Sequence, residues 1–257
     1  MKSSIAMLCL FSALIIAGPA KAATDDVLTL VGSEAPPFIV KEGDKISGFI
    51  PDLLREAASR ARVKYELKLV PWARAYKMAK KGPGVALMMI ARTEHRENEM
   101  QWVYPLFRAE TTFIRLKSGS TKRDIDKNET SICALARSAM VGHLKRNGYR
   151  RIIKAPDIQS CAELLGNKKV DVIFGGWFTT VHAFRTLKLP VDDLAKGETV
   201  LSIDIYLTAS KDVPAQRIKN LQRIIHQMTT DGTYGVFLSQ YKLQGLPRPK
   251  VKAASTN

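Results

Sequence analysis

The chain has 257 residues, of which 46% are apolar and 25% are charged, as in ordinary globular proteins. This composition excludes a disordered chain, and the length allows one or two domains with a sizeable core. The formal net charge of +16 at pH 7 raises nucleic acid, anionic lipid headgroups and small anions as partners.

The first 22 residues have the pattern of a secretory signal peptide. Lys2 precedes an apolar run, and Ala20-Lys21-Ala22 fits the small-x-small rule of signal peptidase. An uncleaved membrane anchor is the alternative, although the run is short for a membrane span. We expect cleavage after Ala22 and a periplasmic protein with a net charge of +14, because two lysines leave with the signal. Exported proteins rarely meet nucleic acid, so the charge favours an anionic ligand, anionic lipid or general solubility.

Two cysteines, Cys133 and Cys161, remain after Cys9 leaves with the signal. Export implies an oxidising compartment, which favours a disulfide between them. Two separate buried thiols are the alternative.

Strand and helix patterns alternate along the first hundred residues. The predicted elements are strand 27–32, helix 51–61, strand 63–70, helix 71–81 and strand 85–91, with a loop at the paired prolines and a turn near Gly43. This order is typical of a parallel sheet covered by helices.

A second alternation follows a predicted strand at 110–119. Its elements are strand 131–137, helix 139–148, strand 150–155, helix 157–169 and strand 170–176; an extended region at 198–212 and two final helices complete the chain.

These two sets predict an α/β fold with two lobes, in which two extended segments near 111–117 and 199–207 act as a hinge. We expect residues 23–114 to begin lobe one, 115–200 to form lobe two, 201–246 to return to lobe one and 247–257 to be a flexible tail. Ligands of open α/β sheets bind at the carboxyl ends of the strands, which would face each other across an interlobe cleft. We expect a monomer.

The order of several segments carries a family resemblance. "APPF…GDKISGFIPDLLREAA…VPWARAY…ARTEHREN…WVYPLF", followed by "YLTASKD" and "TTDGTYGVFLSQY", resembles the extracellular solute-binding proteins of the polar amino-acid type, family 3, in a divergent branch. The likeness covers nearly all of the chain after the signal. It implies a type II periplasmic-binding-protein fold, lobe closure over a solute, and an ABC-transporter permease as membrane partner.

The resemblance also implies a ligand site. Thr93 and Arg96 match the family's Ser-x-Thr-x-x-Arg pattern, in which the arginine holds the ligand's carboxylate, whereas Ala91 replaces the serine. Gly176 stands where the family commonly has an aspartate for the ligand's ammonium, and Ala35 stands where an aromatic residue is common. Because an unpaired buried charge is costly, we expect a small anionic or zwitterionic solute that carries a carboxylate, either an organic acid or an amino-acid-like molecule bound in an unusual way.

The residue types around position 93 suit an anion. We expect Thr93 to be an N-cap, with backbone N–H groups and the helix dipole behind it, and Arg96 to clamp a carboxylate. A salt bridge with a neighbouring glutamate is the alternative for Arg96. Arg92 either joins the site or points away from it.

Further candidates lie on both sides of the expected cleft. Trp72 is either a wall of the cleft or part of the core, and Arg74 either adds to the anion preference or is solvated. Gly175 and Gly176 would let a ligand approach the backbone, and Trp177 would stack on the ligand or pack in the core.

Catalysis has little support in the sequence. The four histidines are scattered without metal-type spacing, and neither a nucleophile elbow nor a P-loop is present, so we expect no enzyme, no metal and no cofactor. Glu34, which could instead offset a cationic group, is the one candidate acid or base. A periplasmic enzyme of the cyclic-acid dehydratase type and a sensory ligand-binding subunit are the alternatives.

Overall fold

A computed structural model describes residues 27–118, 125–136 and 138–249. The predicted signal peptide, its cleavage site and residues 250–257 of the predicted tail lie outside these ranges. Within them, no helix combines the length and the apolar character needed to cross a bilayer.

The first lobe begins with the predicted alternation of strands and helices. Its elements are β1 (Leu28–Gly32), the hairpin strands β2 (Val40–Glu42) and β3 (Lys45–Ser47), α1 (Phe49–Arg60), β4 (Tyr65–Leu69), α2 (Trp72–Lys81) and β5 (Val85–Ala91). Helix α1 begins after Gly48, which has a φ of 115°. A Cβ built at this position would lie 2.6 Å from the Phe38 carbonyl oxygen, so there is no room for a side chain.

The second lobe repeats this alternation between two long strands. The elements are β6 (Gln101–Leu116), β7 (Ile132–Leu135), α3 (Ala139–Arg146), β8 (Ile152–Ala155), α4 (Ile158–Gly166), β9 (Val172–Gly175), α5 (Trp177–Thr186) and β10 (Leu194–Ala209). The chain then returns to lobe one with α6 (Ala215–Thr230) and α7 (Thr233–Gln240).

One eight-stranded sheet runs through both lobes in the order β4-β1-β5-β10-β6-β9-β7-β8. Strands β4, β1 and β5 are parallel in lobe one, and β9, β7 and β8 are parallel in lobe two. The antiparallel pair β6 and β10 joins the two groups and shifts its register at four places. The predicted two-lobed α/β architecture is confirmed, but each crossing strand has 16 residues, and β6 begins at Gln101 and not at 110, while β10 begins at Leu194 and not at 198.

Each lobe has its own buried apolar clusters. In lobe one, Phe49 and Tyr234 belong to the larger cluster and Val31 to the smaller. In lobe two, Cys133 and its neighbour Ile132 belong to different clusters, because successive strand residues face opposite sides of the sheet. The predicted disulfide is present: Cys133 of β7 is bonded to Cys161 of α4, with their Cα atoms 5.6 Å apart.

The chain after α7 packs against lobe one. Leu246 is buried, the Arg108 backbone N–H donates to the Pro247 carbonyl at 2.7 Å, and the Arg248 guanidinium lies 4.7 Å from the ring centroid of Tyr234. The tail was expected to be flexible from residue 247, yet its first two residues make these contacts.

Candidate functional site

The carboxyl ends of the parallel strands in the two lobes point toward each other. Ala91, the last residue of β5, pairs with Ile205 of β10, which in turn pairs with Phe107 of β6. Gly175, the last residue of β9, pairs with Thr112 of β6. Strand β5 runs in the same direction as β6, whereas β9 runs antiparallel to β6. The carboxyl ends of β5 and β9 therefore face each other. Five residue steps along β6 separate them, which is about 17 Å.

A cavity of about 390 Å³ occupies part of this gap. Lobe one contributes Pro36 and Phe38, β6 contributes its crossing residues 107–111, and lobe two contributes the residues after the ends of β8 and β9. Trp177 and Gly176, both predicted site residues, line this cavity, as does Gly175. The cavity therefore lies at the edge where a ligand of an open α/β sheet is expected.

The turn after β5 differs from the prediction. Glu94–Arg96 form only a three-residue 3-10 turn, and Thr93 makes no side-chain cap. The expected side-chain N-cap and α-helix dipole are therefore wrong, because only this single 3-10 turn follows Thr93. Instead, Thr93 Oγ1 and Arg96 Nε are buried and have no hydrogen-bond partner among the described residues. The other end of Arg96 is fixed, since its Nη1 donates to the Ala91 carbonyl at 3.0 Å.

An aromatic stack lies beside Arg96. The rings of Trp72 and Tyr76, one helical turn apart on α2, are stacked with centroids 6.0 Å apart, and the Arg96 guanidinium lies 5.5 Å from the Tyr76 centroid. Trp72 is 42% exposed, so it belongs to a surface and not to the core. The Tyr76 hydroxyl donates to Glu99, and burial, followed by this hydrogen bond, raises the pKa of Tyr76.

Arg92 has partners other than a ligand. Its Nε and Nη2 donate to the two carboxylate oxygens of Glu97 at 2.8 and 2.9 Å, which lowers the pKa of Glu97. Its guanidinium also lies 5.1 Å from the ring centroids of Trp102 and Tyr206. These contacts engage the guanidinium of Arg92 within lobe one, and its place in a ligand site stays a prediction.

Two further candidates lie at the surface of lobe one. Arg74 is exposed on α2 and forms no ion pair with any residue in the described ranges. Glu34 is exposed in the loop after β1, where it accepts the Lys41 backbone N–H at 3.2 Å. Neither residue lines the cavity, and their roles stay predictions.

Lobe two meets the cavity with the first turn of α5. Gly176 is the residue before this helix, and its carbonyl oxygen accepts the hydroxyl groups of Thr179 and Thr180, both at 2.9 Å. Trp177 is half-buried, packs against the cluster that contains the disulfide, and lines the cavity as well. The next residue, Phe178, packs against the larger cluster of lobe one, so α5 bridges the two lobes.

Every charged side chain that lines the cavity has a partner. Arg108 binds Asp204 on the neighbouring strand through two hydrogen bonds of 2.7 and 3.0 Å, and Lys196 binds Glu110 at 3.1 Å. Asp157 caps α4 by accepting a backbone N–H at 2.7 Å, which lowers its pKa. The two ion pairs were not predicted, because their partners lie 96 and 86 positions apart in the sequence.

The structure thus places the candidates in two groups. One group, Thr93, Arg96 and Trp72, lies after β5 and at the start of α2. The other group, Gly176 and Trp177, lies after β9 and lines the cavity. Within the described ranges, no cluster of three or more histidine, cysteine or acidic residues could hold a metal ion. The sequence did not predict Tyr76, which joins Trp72 to Arg96, or the crossing residues of β6. The one sequence pattern that pointed to Tyr76 was its helical spacing from Trp72.

The chain matches one family over most of its length. The model described as bacterial extracellular solute-binding proteins, family 3, matches residues 28–244. No curated protein is similar enough in sequence to count as a match.

Solved structures share the fold at low sequence identity. An ancestral arginine-binding protein bound to glutamine is 20% identical, with a TM-score of 0.65 over 85% of this chain and 99% of that one. A substrate-binding protein of an ABC uptake transporter from Streptococcus pneumoniae, with bound histidine, is 13% identical, with a TM-score of 0.67 over 84% and 92%. A histidine kinase sensor domain similar to periplasmic binding proteins is 15% identical, with a TM-score of 0.69 over 87% and 98%.

Proposed function

Since the chain belongs to the bacterial extracellular solute-binding proteins, family 3, we propose that it captures a small carboxylate-bearing solute between its lobes for an ABC importer. In this proposal the chain is exported to the periplasm, loses its signal after Ala22 and acts as a monomer. The captured solute is passed on unchanged, and the membrane partner is an ABC-transporter permease.

One observation carries the proposal: Thr93 Oγ1 and Arg96 Nε are buried and find no hydrogen-bond partner in the part of the chain that the structure describes. Leaving a buried donor unsatisfied costs about 1–3 kcal/mol, and more when the group is charged. A carboxylate that accepts from both groups would remove this cost and would neutralise the guanidinium. The two atoms lie just after β5, at the edge that faces lobe two.

Closure follows from contacts on both lobes. A solute held by Thr93 and Arg96 gains apolar contacts with Trp177 only when lobe two approaches, so the solute stabilises the closed state more than the open one. The register shifts along β6 and β10 support bending at the crossing, because an irregular ladder has fewer ordered hydrogen bonds to break.

Sensing is the second candidate function, and one similarity favours it. The histidine kinase sensor domain has the same fold and is almost entirely covered by the match. Deletion of the gene from its host separates the two functions. A loss of uptake of the labelled solute supports import, whereas intact uptake with a lost response to the solute supports sensing.

The direct test is calorimetric titration of the protein with carboxylates, preceded by a thermal-shift screen of amino acids and organic acids. We expect Arg96→Ala to weaken binding by about 100-fold, since about 2–3 kcal/mol of charged hydrogen bonding is lost. Arg92→Ala is the matched control, because Arg92 is engaged with Glu97, and it should bind normally. Equal binding by wild type and Arg96→Ala would refute the assignment, and mass spectrometry of the recovered solute checks that it is unchanged.

A further inference from the structure

We infer that Tyr76 is a positioning residue that keeps the Glu99 carboxylate from pairing with Arg96, so that the guanidinium stays available for the carboxylate of the solute. This inference rests on the proposed function, and it adds a residue to the same site. The sequence places glutamates on both sides of Arg96, at positions 94, 97 and 99. Each of these carboxylates could occupy the donors that the solute needs, because arginine forms its strongest hydrogen bonds with carboxylates.

The structure nevertheless leaves Arg96 without a carboxylate of its own chain. Its Nε is buried and lacks a hydrogen-bond partner among the described residues, and its guanidinium forms no ion pair with any of them. Glu94 is exposed. Glu97 is held by Arg92, and within the described ranges no hydrogen bond, ion pair or ring contact links the side chains of that pair to Arg96. Glu99, which is half-buried, remains as the competitor.

Two side chains of α2 hold the Glu99 carboxylate. Its Oε2 accepts the Tyr76 hydroxyl, and its Oε1 accepts Lys80 Nζ at 2.6 Å. The two donors are four positions apart, so they project from the same face of the helix, one turn apart. Lys80 and then Tyr76 lower the pKa of Glu99, so this carboxyl group is ionised at neutral pH. The loss of a donor would therefore release an anion.

Tyr76 contacts both charges. Its hydroxyl donates to Glu99, while the Arg96 guanidinium lies 5.5 Å from the centroid of its ring. Both neighbours act on the pKa of Tyr76: burial and Glu99 raise it, and Arg96 lowers it. The ring is also stacked on Trp72, with the centroids 6.0 Å apart. One side chain thus binds the competing carboxylate through its hydroxyl and the cation of the proposed site through its ring.

The hydroxyl decides which donor the carboxylate binds. Without it, Oε2 of Glu99 loses a partner in a half-buried position, where an unsatisfied oxygen is costly. Lys80 alone is a weak hold, since its side chain is 43% exposed and water screens such a pair. Arg96 Nε, three positions away in the chain, is a buried donor that no described residue satisfies. Removal of the hydroxyl should therefore create an internal pair of Arg96 and Glu99 that competes with the solute.

Tyr76→Phe tests this inference without any solute. The variant keeps the ring that contacts Trp72 and Arg96 and removes the hydroxyl alone. NMR spectra of isotope-labelled protein follow the Arg96 Nε–H signal, which Arg96→Lys identifies by its loss. We expect this hydrogen to exchange with water about tenfold more slowly in Tyr76→Phe, as for one added hydrogen bond to a charged group, and at the wild-type rate when Glu99→Gln is added. An unchanged rate in Tyr76→Phe overturns the inference and leaves the proposed function intact.

Sodium acetate is the probe for the carboxylate of the solute. Its titration against sodium chloride, at constant ionic strength, follows the same Arg96 signal. We expect Tyr76→Phe to weaken acetate binding by about tenfold and the double variant Tyr76→Phe with Glu99→Gln to regain it. Tyr149→Phe, which removes a hydroxyl from a ring packed on Phe113 in lobe two, is the matched control and should bind acetate as the wild type does.

Two further outcomes are also decisive. If Tyr76→Phe causes the same loss of acetate affinity with and without Glu99→Gln, Tyr76 acts on the fold of the site and not through Glu99, and the inference is overturned. If acetate leaves the Arg96 signal of the wild-type protein unmoved at every concentration, the carboxylate site of the proposed function is overturned, and the inference with it.

Discussion

The two lobes end their parallel strands in different ways, although both are built from the same alternation of strands and helices. In lobe one, β5 ends in a short turn whose Thr93 Oγ1 and Arg96 Nε are buried and have no partner within residues 27–118, 125–136 and 138–249. In lobe two, β9 leads directly into α5, and the Gly176 carbonyl is already saturated by hydroxyl groups. In the proposed function, this difference corresponds to polar recognition by lobe one and apolar covering by lobe two.

The lobes also differ in what holds them together. Lobe one has the larger apolar cluster, to which α1, α6 and α7 all contribute, and contains no cross-link within the described residues. Lobe two has smaller clusters and a disulfide between β7 and α4, whose first turn borders the cavity. A small core gains more from a cross-link, because less burial is available to offset chain entropy.

Removal of the disulfide should have the largest effect, and it should destabilise lobe two and not lobe one. We expect Cys133→Ala with Cys161→Ala to destabilise lobe two by about 3–4 kcal/mol, the amount expected for a closed loop of 28 residues. Hydrogen exchange should accelerate in β7 and β9 and stay slow in β1 and β5. Wild-type protein in reducing buffer is the control, and equal acceleration in both lobes would contradict two separately stabilised halves.

Thr93→Val should have two effects of opposite sign. Valine has nearly the same shape and removes a buried hydroxyl that lacks a partner, so the ligand-free protein should melt at the same or a higher temperature. Solute affinity should fall by about tenfold, since one hydrogen bond to a charged group is lost. Thermal melting and calorimetry measure the two effects. A lower melting temperature without solute would show that the hydroxyl serves the fold of lobe one and not recognition.

Trp177→Ala should weaken binding less and mainly through dissociation. In the proposed function, this side chain covers the solute from lobe two without bonding its carboxylate, so we expect about a fivefold to tenfold loss of affinity that appears in the rate of release. Stopped-flow fluorescence measures that rate, and Trp72→Ala on lobe one is the matched comparison. If Trp72→Ala alone accelerates release, the covering role belongs to lobe one.

Acid should give the smallest and most local effects. The pKa of Asp231 in lobe one is lowered to about 2 by its hydrogen bonds to Thr233 and by Arg60, and the pKa of Asp157 in lobe two is lowered by its cap of α4. Both contributions are therefore complete above pH 3.8 and are lost as the pH falls through the folded-state pKa. Asp231→Asn should flatten the acid dependence of hydrogen exchange in lobe one only, and Asp157→Asn that of lobe two only. A change in the opposite lobe would indicate that acid acts on the whole molecule.

Most of the fold could be predicted because its elements follow local patterns. Strand β5 is a continuous apolar run, and α1 and α6 have apolar residues at helical spacing. The full length of β6 and β10 was not predictable, since Pro105 and alternating charges interrupt the pattern. Their extension depends on pairing with each other, which joins residues 78 or more positions apart.

The candidate site was predictable in identity more than in geometry. Arg96 follows from the motif, but the sequence after Thr93 favours a helix, and only the early start of β6 limits it to a 3-10 turn. The position of Arg92 depends on Glu97, Trp102 and Tyr206 together. The last of these lies more than a hundred positions away, and no local pattern indicates such a contact.

The end pair of the crossing strands has a consequence for protein engineering and evolution. Leu116 and Leu194, where the chain enters and leaves lobe two, are direct partners in the ladder. The whole intervening segment is therefore a cassette whose two ends are neighbours. Under the proposed function, exchange of that cassette with a homologue's replaces the surface proposed to cover the solute while Arg96 stays in place, so we expect the chimaera to acquire a different solute preference in one recombination step.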